Sequence, residues 1–293
     1  MERELWPELY RAVKEVGKLV RQKGVRYQPW VIALVYLWAA IHERPVAWAC
    51  VASHWSTTRL RPWALPSEST MSRRVYRVAM GVFWKRLEDH VRQTGYRGLL
   101  SFVDGKPLVV GNSSKDRDAR VGWATNGFAR GYRLHEIQGN RAFPEAWEVT
   151  SLNVSESVVA QMLVQQARGG GYLLADGAYD SGPLFDGTQK HGYQLLAPCE
   201  QEGAGRGHRR LSAARRRSIE LNQTSFGREL LAQRRQIEQA FGNLTCFAGG
   251  LGPLPAWVRR PHRVRTWVWA KLSINAIRIQ HLHLHLHHQH LTA

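Results

Sequence analysis

Two short apolar runs, Leu99–Val103 and Tyr172–Ala175, each end in an Asp-Gly pair, in LLSFVDG and GYLLADG. Runs this short, closed by a turn signal, read as buried strands. At the carboxyl edge of an α/β sheet, strand ends are where ligands bind, and a following glycine lets backbone or substrate approach closely. Asp104 and Asp176 are therefore the first candidates for chemistry.

The rest of the pattern is built around those runs. Leu108–Val110 is expected as a hairpin partner of the first strand, and Tyr132–Gln138, Ala146–Leu152 and Tyr193–Ala197 also read as strands. Helical spacing or caps predict helices over Ser155–Arg168, Gly182–His191, Gly227–Phe247 and His262–Ile279. That order is a mixed sheet with helices on its faces. Before Gly95 the apolar spacing is helical throughout, over Trp6–Lys23, Pro29–His42, Met71–Met80 and Val82–Gln93. The expected division is a helical region at 1–95, an α/β domain at 96–280 and a histidine-rich tail at 281–293.

Within the helical region, PSESTMSRRVYRV resembles the second half of a helix-turn-helix. Ser67 or Ser69 can cap the helix by accepting free amide hydrogens. Arg73, Arg74 and Arg77 then lie on it, with Arg73 and Arg77 one turn apart and able to enter a DNA major groove. The plainer reading is a solvated basic helix.

Charge narrows the partners. Lysine and arginine number 41 against 23 acids, a formal charge of +18, which favours a polyanion. The 44% hydrophobic content excludes wholesale disorder, and 293 residues suit two domains. The longest apolar run, Trp30–Ile41, has 12 residues, short of the roughly 20 that span a bilayer. The N-terminus lacks a secretory apolar stretch, and no helix joins a basic face to a broad apolar one, so no membrane partner is expected. Cys50, Cys199 and Cys246 are widely spaced, which suggests a reducing cytoplasm.

A third acid, Glu238, lies in the expected helix RRQIEQAF. Taken singly, an Asp-Gly is often a turn and a helical glutamate is often half of an ion pair. Three carboxylates brought together repel unless a cation lies between them, and hard oxygen donors suit magnesium or manganese. Two such ions about 3.5–4 Å apart can stabilise the attacking and leaving oxygens of a phosphodiester displacement. Asp180, Asp186, Glu200 and Glu229 are neighbouring acids that could take a place in such a set.

SFVDGKPL, GYRLHEI, LLADGAYDS and RRQIEQAF occur in this order between Leu99 and Phe247, behind a basic helical region. In this the chain resembles the DDE-type insertion-sequence transposases. The resemblance implies a ribonuclease-H-like mixed sheet flanked by helices and preceded by an all-helical DNA-binding region. It implies that Asp104, Asp176 and Glu238 are the catalytic, metal-binding triad, that the cofactor is Mg2+ or Mn2+ as two ions, and that Arg234 matches an arginine preceding the last acid. It further implies cleavage of element ends to release a 3′ hydroxyl, and attack of that hydroxyl on target DNA. The partners would be double-stranded DNA, as terminal inverted repeats and target, and a second copy in a homodimer on DNA. The location would be a prokaryotic cytoplasm. Leu231 and Thr245 stand where one branch of the family has tyrosine and lysine, and Gly105 and Lys106 depart from a common small-hydroxyl pattern.

Further basic residues surround the acids. Between Gly203 and Ile219 stand Arg206, Arg209, Arg210, Arg215, Arg216 and Arg217 without an acid, a stretch that reads as a mobile loop gripping phosphates or as a solvated run. Lys106, Arg130, Arg133 and His135 flank the first acid or the next strands, and Arg133 and His135 share one strand face. They could touch the scissile phosphate or form an exposed face. Most of the 12 tryptophans read as packing residues, with one available to stack on an unpaired base. His281, His283 and His285 belong to the tail, which reads as a loose end without catalytic weight. Two other functions fit this pattern: a structure-selective nuclease of the same fold, and a non-catalytic DNA-binding protein derived from a transposase.

Overall fold

Helix α1 (Glu2–Leu19) buries Leu5, Trp6, Leu9, Val13 and Val16, an apolar stripe at helical spacing. It stops short of Lys23 because the next turn is held differently: the Gln28 side chain bonds both the backbone N–H and the carbonyl of Gln22. Helix α2 (Pro29–Ile41) starts on a proline, whose missing N–H costs nothing there, and is buried from Val31 to Ile41. Trp6 and Trp55 close on Trp38 with ring centroids 4.7 and 4.6 Å away. After a short α3 (Val46–Ala49) and a 3-10 turn at Ala52–Trp55 come α4 (Glu68–Arg74) and α5 (Val78–Arg92). Ser67 caps α4, its hydroxyl accepting from the Thr70 N–H at 3.3 Å. The helix ends at Arg74, so Arg73 and Arg77 are not one turn apart on a continuous helix, which corrects the spacing argument.

The computed structural model describes residues 2–92, 98–111, 113–198 and 212–291, with side chains for 4–92, 98–111, 113–198 and 212–282. The chain forms two units, residues 95–243 and residues 1–94 with 244–293.

The unit of residues 95–243 carries a mixed sheet. Its strands are β1 (Leu100–Val109), β2 (Arg120–Ala124), β3 (Gly127–Gln138), β4 (Ala146–Ser151), β5 (Gly171–Leu174) and β6 (Tyr193–Leu196). Helix α6 (Glu156–Gln166) precedes β5, α7 (Gly182–Lys190) precedes β6, and α8 (Ala213–Gln223), α9 (Ser225–Ala232) and α10 (Arg235–Thr245) follow. The order is β2-β3-β1-β5-β6, with β4 also on β3. Strands β2, β3 and β4 form the antiparallel part, β3 pairs antiparallel with β1, and β1, β5 and β6 run parallel. This is the mixed α/β fold that the resemblance implied.

One face of this sheet presents Val103, Ile137, Leu173, Ala175 and Leu195 to Val159, Leu163, Leu184 and Phe185 of α6 and α7. Alternation along the strands sends Phe102, Asp104 and Leu174 to the other face. The first apolar run is not half of a hairpin with Leu108–Val110. Both belong to β1, which stays extended through Gly105, Lys106 and Pro107 because β3 pairs with it from Phe102 to Val109. Strand β5 pairs with β1 only as far as Phe102, so Pro107 sits where β1 has a single partner and its missing N–H is tolerated. Residues 213–219 form the start of α8, capped by Ser212, rather than a loop, and 199–211 lie outside the described residues.

The last helix, α11 (Pro261–Leu291), packs with α1, α2 and α5. Residues 244–280, expected in the α/β domain, thus group with the N-terminal helices. The fully buried Lys271 fixes this arrangement, donating to the carbonyls of Ala40 and Gly249 at 2.8 Å each and to Glu43. Ala40 is in the last turn of α2, where carbonyls lack helical partners. The helix runs through the histidine-rich tail to Leu291. No described helix is long and apolar enough to cross a membrane.

Gly171 starts β5 at φ +96°, and a Cβ there would run into the Leu99 carbonyl oxygen, which accepts from Tyr172 at 2.8 Å. Gly171→Ala should therefore cost on the order of 2–4 kcal/mol, read from the shift in urea midpoint at constant slope. A change below about 0.5 kcal/mol would show that this close approach is not needed.

Candidate active site

The register of β1 against β5 sets the site. Phe102 pairs with Leu174, and two residues further along each chain stand Asp104 and Asp176. Asp176 keeps an extended backbone beyond the end of β5, so both aspartates follow their strands to the face opposite the α6 and α7 core. Asp104 lies within β1 rather than at its end, opposite Glu136 on β3. Its Oδ1 accepts from the Gly105 N–H at 2.7 Å. Asp176 caps the 3-10 turn Gly177–Tyr179, its Oδ1 accepting from the Ala178 N–H at 3.0 Å.

Burial raises the Asp104 pKa from 3.8 to about 6. The Gly105 N–H and the Arg234 cation oppose that rise, while the charges of Asp176 and Glu156 add to it. Glu136 is also buried and is pushed up to about 8, first by burial and then by Asp104, with Lys106 opposing. Strand β1 thus carries an acid whose neighbours on both sides are acids.

The third predicted acid is placed differently. Glu238 is in the first turn of α10, where a negative charge suits the helix dipole. Its neighbour Ile237 is buried, but the Glu238 side chain is 66% exposed and faces Arg234 at 3.5 Å. Arg234 lies in the turn between α9 and α10, and its charge also favours the ionised form of Asp104. The register therefore sets Asp104 and Asp176 at matching positions on neighbouring strands, while Glu238 is exposed and paired with Arg234. Among the described residues, no three histidine, cysteine, aspartate or glutamate side chains are placed to hold one ion. The two aspartates nevertheless fit a hard divalent cation, being adjacent oxygen donors whose mutual repulsion a cation would relieve.

The predicted basic residues divide by exposure. Arg73, Arg77, Arg130 and Arg216 are exposed. Arg74 donates to the Tyr27 carbonyl and to Gln22, and with Arg26 and Arg77 lines a cleft of about 580 Å3. Lys106 is half-buried, 5.7 Å from the Phe241 ring. Arg215 is paired with Asp180 at 2.8 Å. Arg209 and Arg210 lie outside the described residues.

Arg133 and His135 do share a face, but both are buried on the α6 side of the sheet. Arg133 pairs with Glu156 and donates to the Trp123 carbonyl. Burial and the Arg133 charge press His135 down to about 3, so it stays neutral beside Thr150. Neither presents an exposed cation to a phosphate.

Two residues of the site escaped the sequence reading. Glu156 and Tyr179 bond each other at 3.0 Å on the α6 side of the sheet, near enough for the Glu156 charge to act on Asp104. The available signals were an acid in the first turn after a serine cap, and a tyrosine three residues after Asp176.

A carboxyl whose folded pKa is raised contributes most to stability when protonated, and that contribution is lost as pH rises through the folded value. Asp104→Asn stays neutral throughout. Without divalent ions, its stability advantage over the wild type should grow between pH 4 and pH 7.5. At about 1.4 kcal/mol per pH unit the gap reaches about 3 kcal/mol, read from urea midpoints at each pH. A difference that does not vary with pH would contradict the burial of this charge.

Residues 96–251 match the family of the transposase DDE domain. No curated protein matches the sequence. Among solved structures, a cryo-EM structure of a piggyBac transposase synaptic complex with hairpin DNA aligns with 93% of this chain and 71% of its own. The identity is 10% and the TM-score 0.42. The family match spans just over half of the 293 residues and includes Asp104, Asp176 and Glu238, and the chain belongs to the transposase DDE domain family.

Proposed function

We propose that the chain is a DNA transposase that cleaves phosphodiesters at element ends in a metal-dependent reaction and transfers the freed strand to target DNA. One observation supports this reading: in the matched domain Asp104 and Asp176 each follow by two residues the last pair of the parallel β1–β5 register. Asp104, Asp176 and Glu238 are the residues that would hold two Mg2+ or Mn2+ ions. Such ions supply a nucleophile at neutral pH and charge stabilisation on the phosphate oxygens.

The chain's own groups prepare that site. The Gly105 and Ala178 N–H groups orient one oxygen of each aspartate and leave the other for a ligand. Arg234 pairs with Glu238, its charge favours the ionised form of Asp104, and its guanidinium would offer a fork of donors to a phosphate. Lys106 on the acid face adds a point charge. Exposed Arg73, Arg77 and Arg216, with Arg74, Arg215 and the stretch containing Arg209 and Arg210, supply phosphate contacts along bound duplex. The helical unit takes the role of a DNA-binding region, and paired element ends call for a homodimer.

Asp176→Ala tests the reaction. On DNA carrying the element's terminal repeats, magnesium-dependent cleavage should fall on the order of a thousandfold, with folding intact by circular dichroism. Undiminished cleavage would remove the mechanism. Products joining donor to target distinguish transposition from nuclease action alone, and metal-independent binding without cleavage would favour a non-catalytic DNA-binding protein.

A further inference from the structure

Glu156 opens α6, and its carboxylate joins three segments of the sheet domain. Arg133 of β3 pairs with one oxygen. The Tyr179 hydroxyl donates to the other at 3.0 Å. Tyr179 is fully buried and ends the 3-10 turn that Asp176 begins, the same turn whose Ala178 N–H holds Asp176. On the third side, Glu156 reaches β1: a Cβ added to Gly105 would lie 2.7 Å from Glu156 Oε2 and 2.7 Å from Arg133 Cδ. The glycine after Asp104 thus admits these two side chains.

Burial and the Asp176 charge work against an ionised Glu156, while the Arg133 cation and the Tyr179 hydroxyl work for it. Glu156 brings a further negative charge to a place where Asp104 and Asp176 already repel. A tyrosine in an apolar core needs only some acceptor for its hydroxyl, and a neutral one would serve packing as well. The charge repays its cost if it fixes something. Both Glu156 oxygens are engaged by donors, so its action runs through those donors rather than through direct contact with a ligand.

We propose that Glu156 is a positioning residue that, with Arg133 and Tyr179, locks the Asp176 turn against β1 and holds both aspartates toward one cation position. The bracket spans β3, α6 and the turn after β5, and it sets the separation of carboxylates that would otherwise drift apart. The proposal rests on the cation-dependent reading of Asp104 and Asp176.

Two variants of the full chain test it. Tyr179→Phe keeps the ring and removes the hydroxyl, while Glu156→Gln keeps the shape and removes the charge that Arg133 answers. Two readouts are taken: hydrogen exchange at the Ala178 amide without metal, and Mn2+ affinity by electron paramagnetic resonance. In Tyr179→Phe the Ala178 amide should exchange about tenfold faster, and Mn2+ affinity should fall about tenfold, the usual scale for an outer-shell partner. Glu156→Gln should move both in the same direction. The magnesium dependence of cleavage should shift to higher concentration, with the rate recovered at saturation. Unchanged Ala178 exchange in Tyr179→Phe overturns the proposal, as does unchanged Mn2+ affinity. If the wild type binds no Mn2+, the cation reading fails, and exchange alone still decides the bracket.

Discussion

The pairing of β1 with β5 is the constraint on which the site depends. Three residue pairs, ending at Phe102 and Leu174, fix how far each strand advances before its aspartate. Because side chains alternate, a shift of one residue would turn Asp104 or Asp176 into the α6 and α7 core. The register is held from the apolar side, where Val103, Leu173 and Leu195 are buried, and by Gly171, which lets β5 start against Leu99. Packing on one face of the sheet thus sets the chemistry on the other.

That chemistry works against folding. Asp104 is partly buried, the charges of Asp176 and Glu156 disfavour its ionised form, and its own charge in turn disfavours that of Glu136. The domain tolerates this through groups that cannot move far: backbone N–H donors at Gly105 and Ala178, and arginines on separate elements, Arg133 on β3 and Arg234 before α10. Perturbed carboxyls gathered at one place on a sheet are an arrangement expected of functional sites, where stability yields to reactivity. Binding of a divalent cation to the folded form would return part of that stability by mass action.

Much of this was legible in the sequence because the decisive signals are local. Leu99–Val103 and Tyr172–Ala175 are apolar and closed by Asp-Gly, and the strands they mark carry both aspartates. The failures have a common cause in contacts distant along the chain. Gly105–Lys106–Pro107 looks like a turn, and only pairing with β3 keeps it extended. Strand β2 went unseen because Val121 and Trp123 are exposed on an edge and leave no buried run. The grouping of α11 with the N-terminal helices turns on Lys271 meeting Ala40, 231 residues away. Glu238 was read from its place in a motif and pairs locally with Arg234, while its exposure follows from α10 burying its other side through Ile237.

Anomalous diffraction from crystals grown with Mn2+ locates the cation on the protein. A manganese peak flanked by the carboxylates of Asp104 and Asp176 is expected, and it should disappear in Asp176→Ala. Strong manganese peaks elsewhere, with none between these two side chains at saturating metal, would contradict this placement.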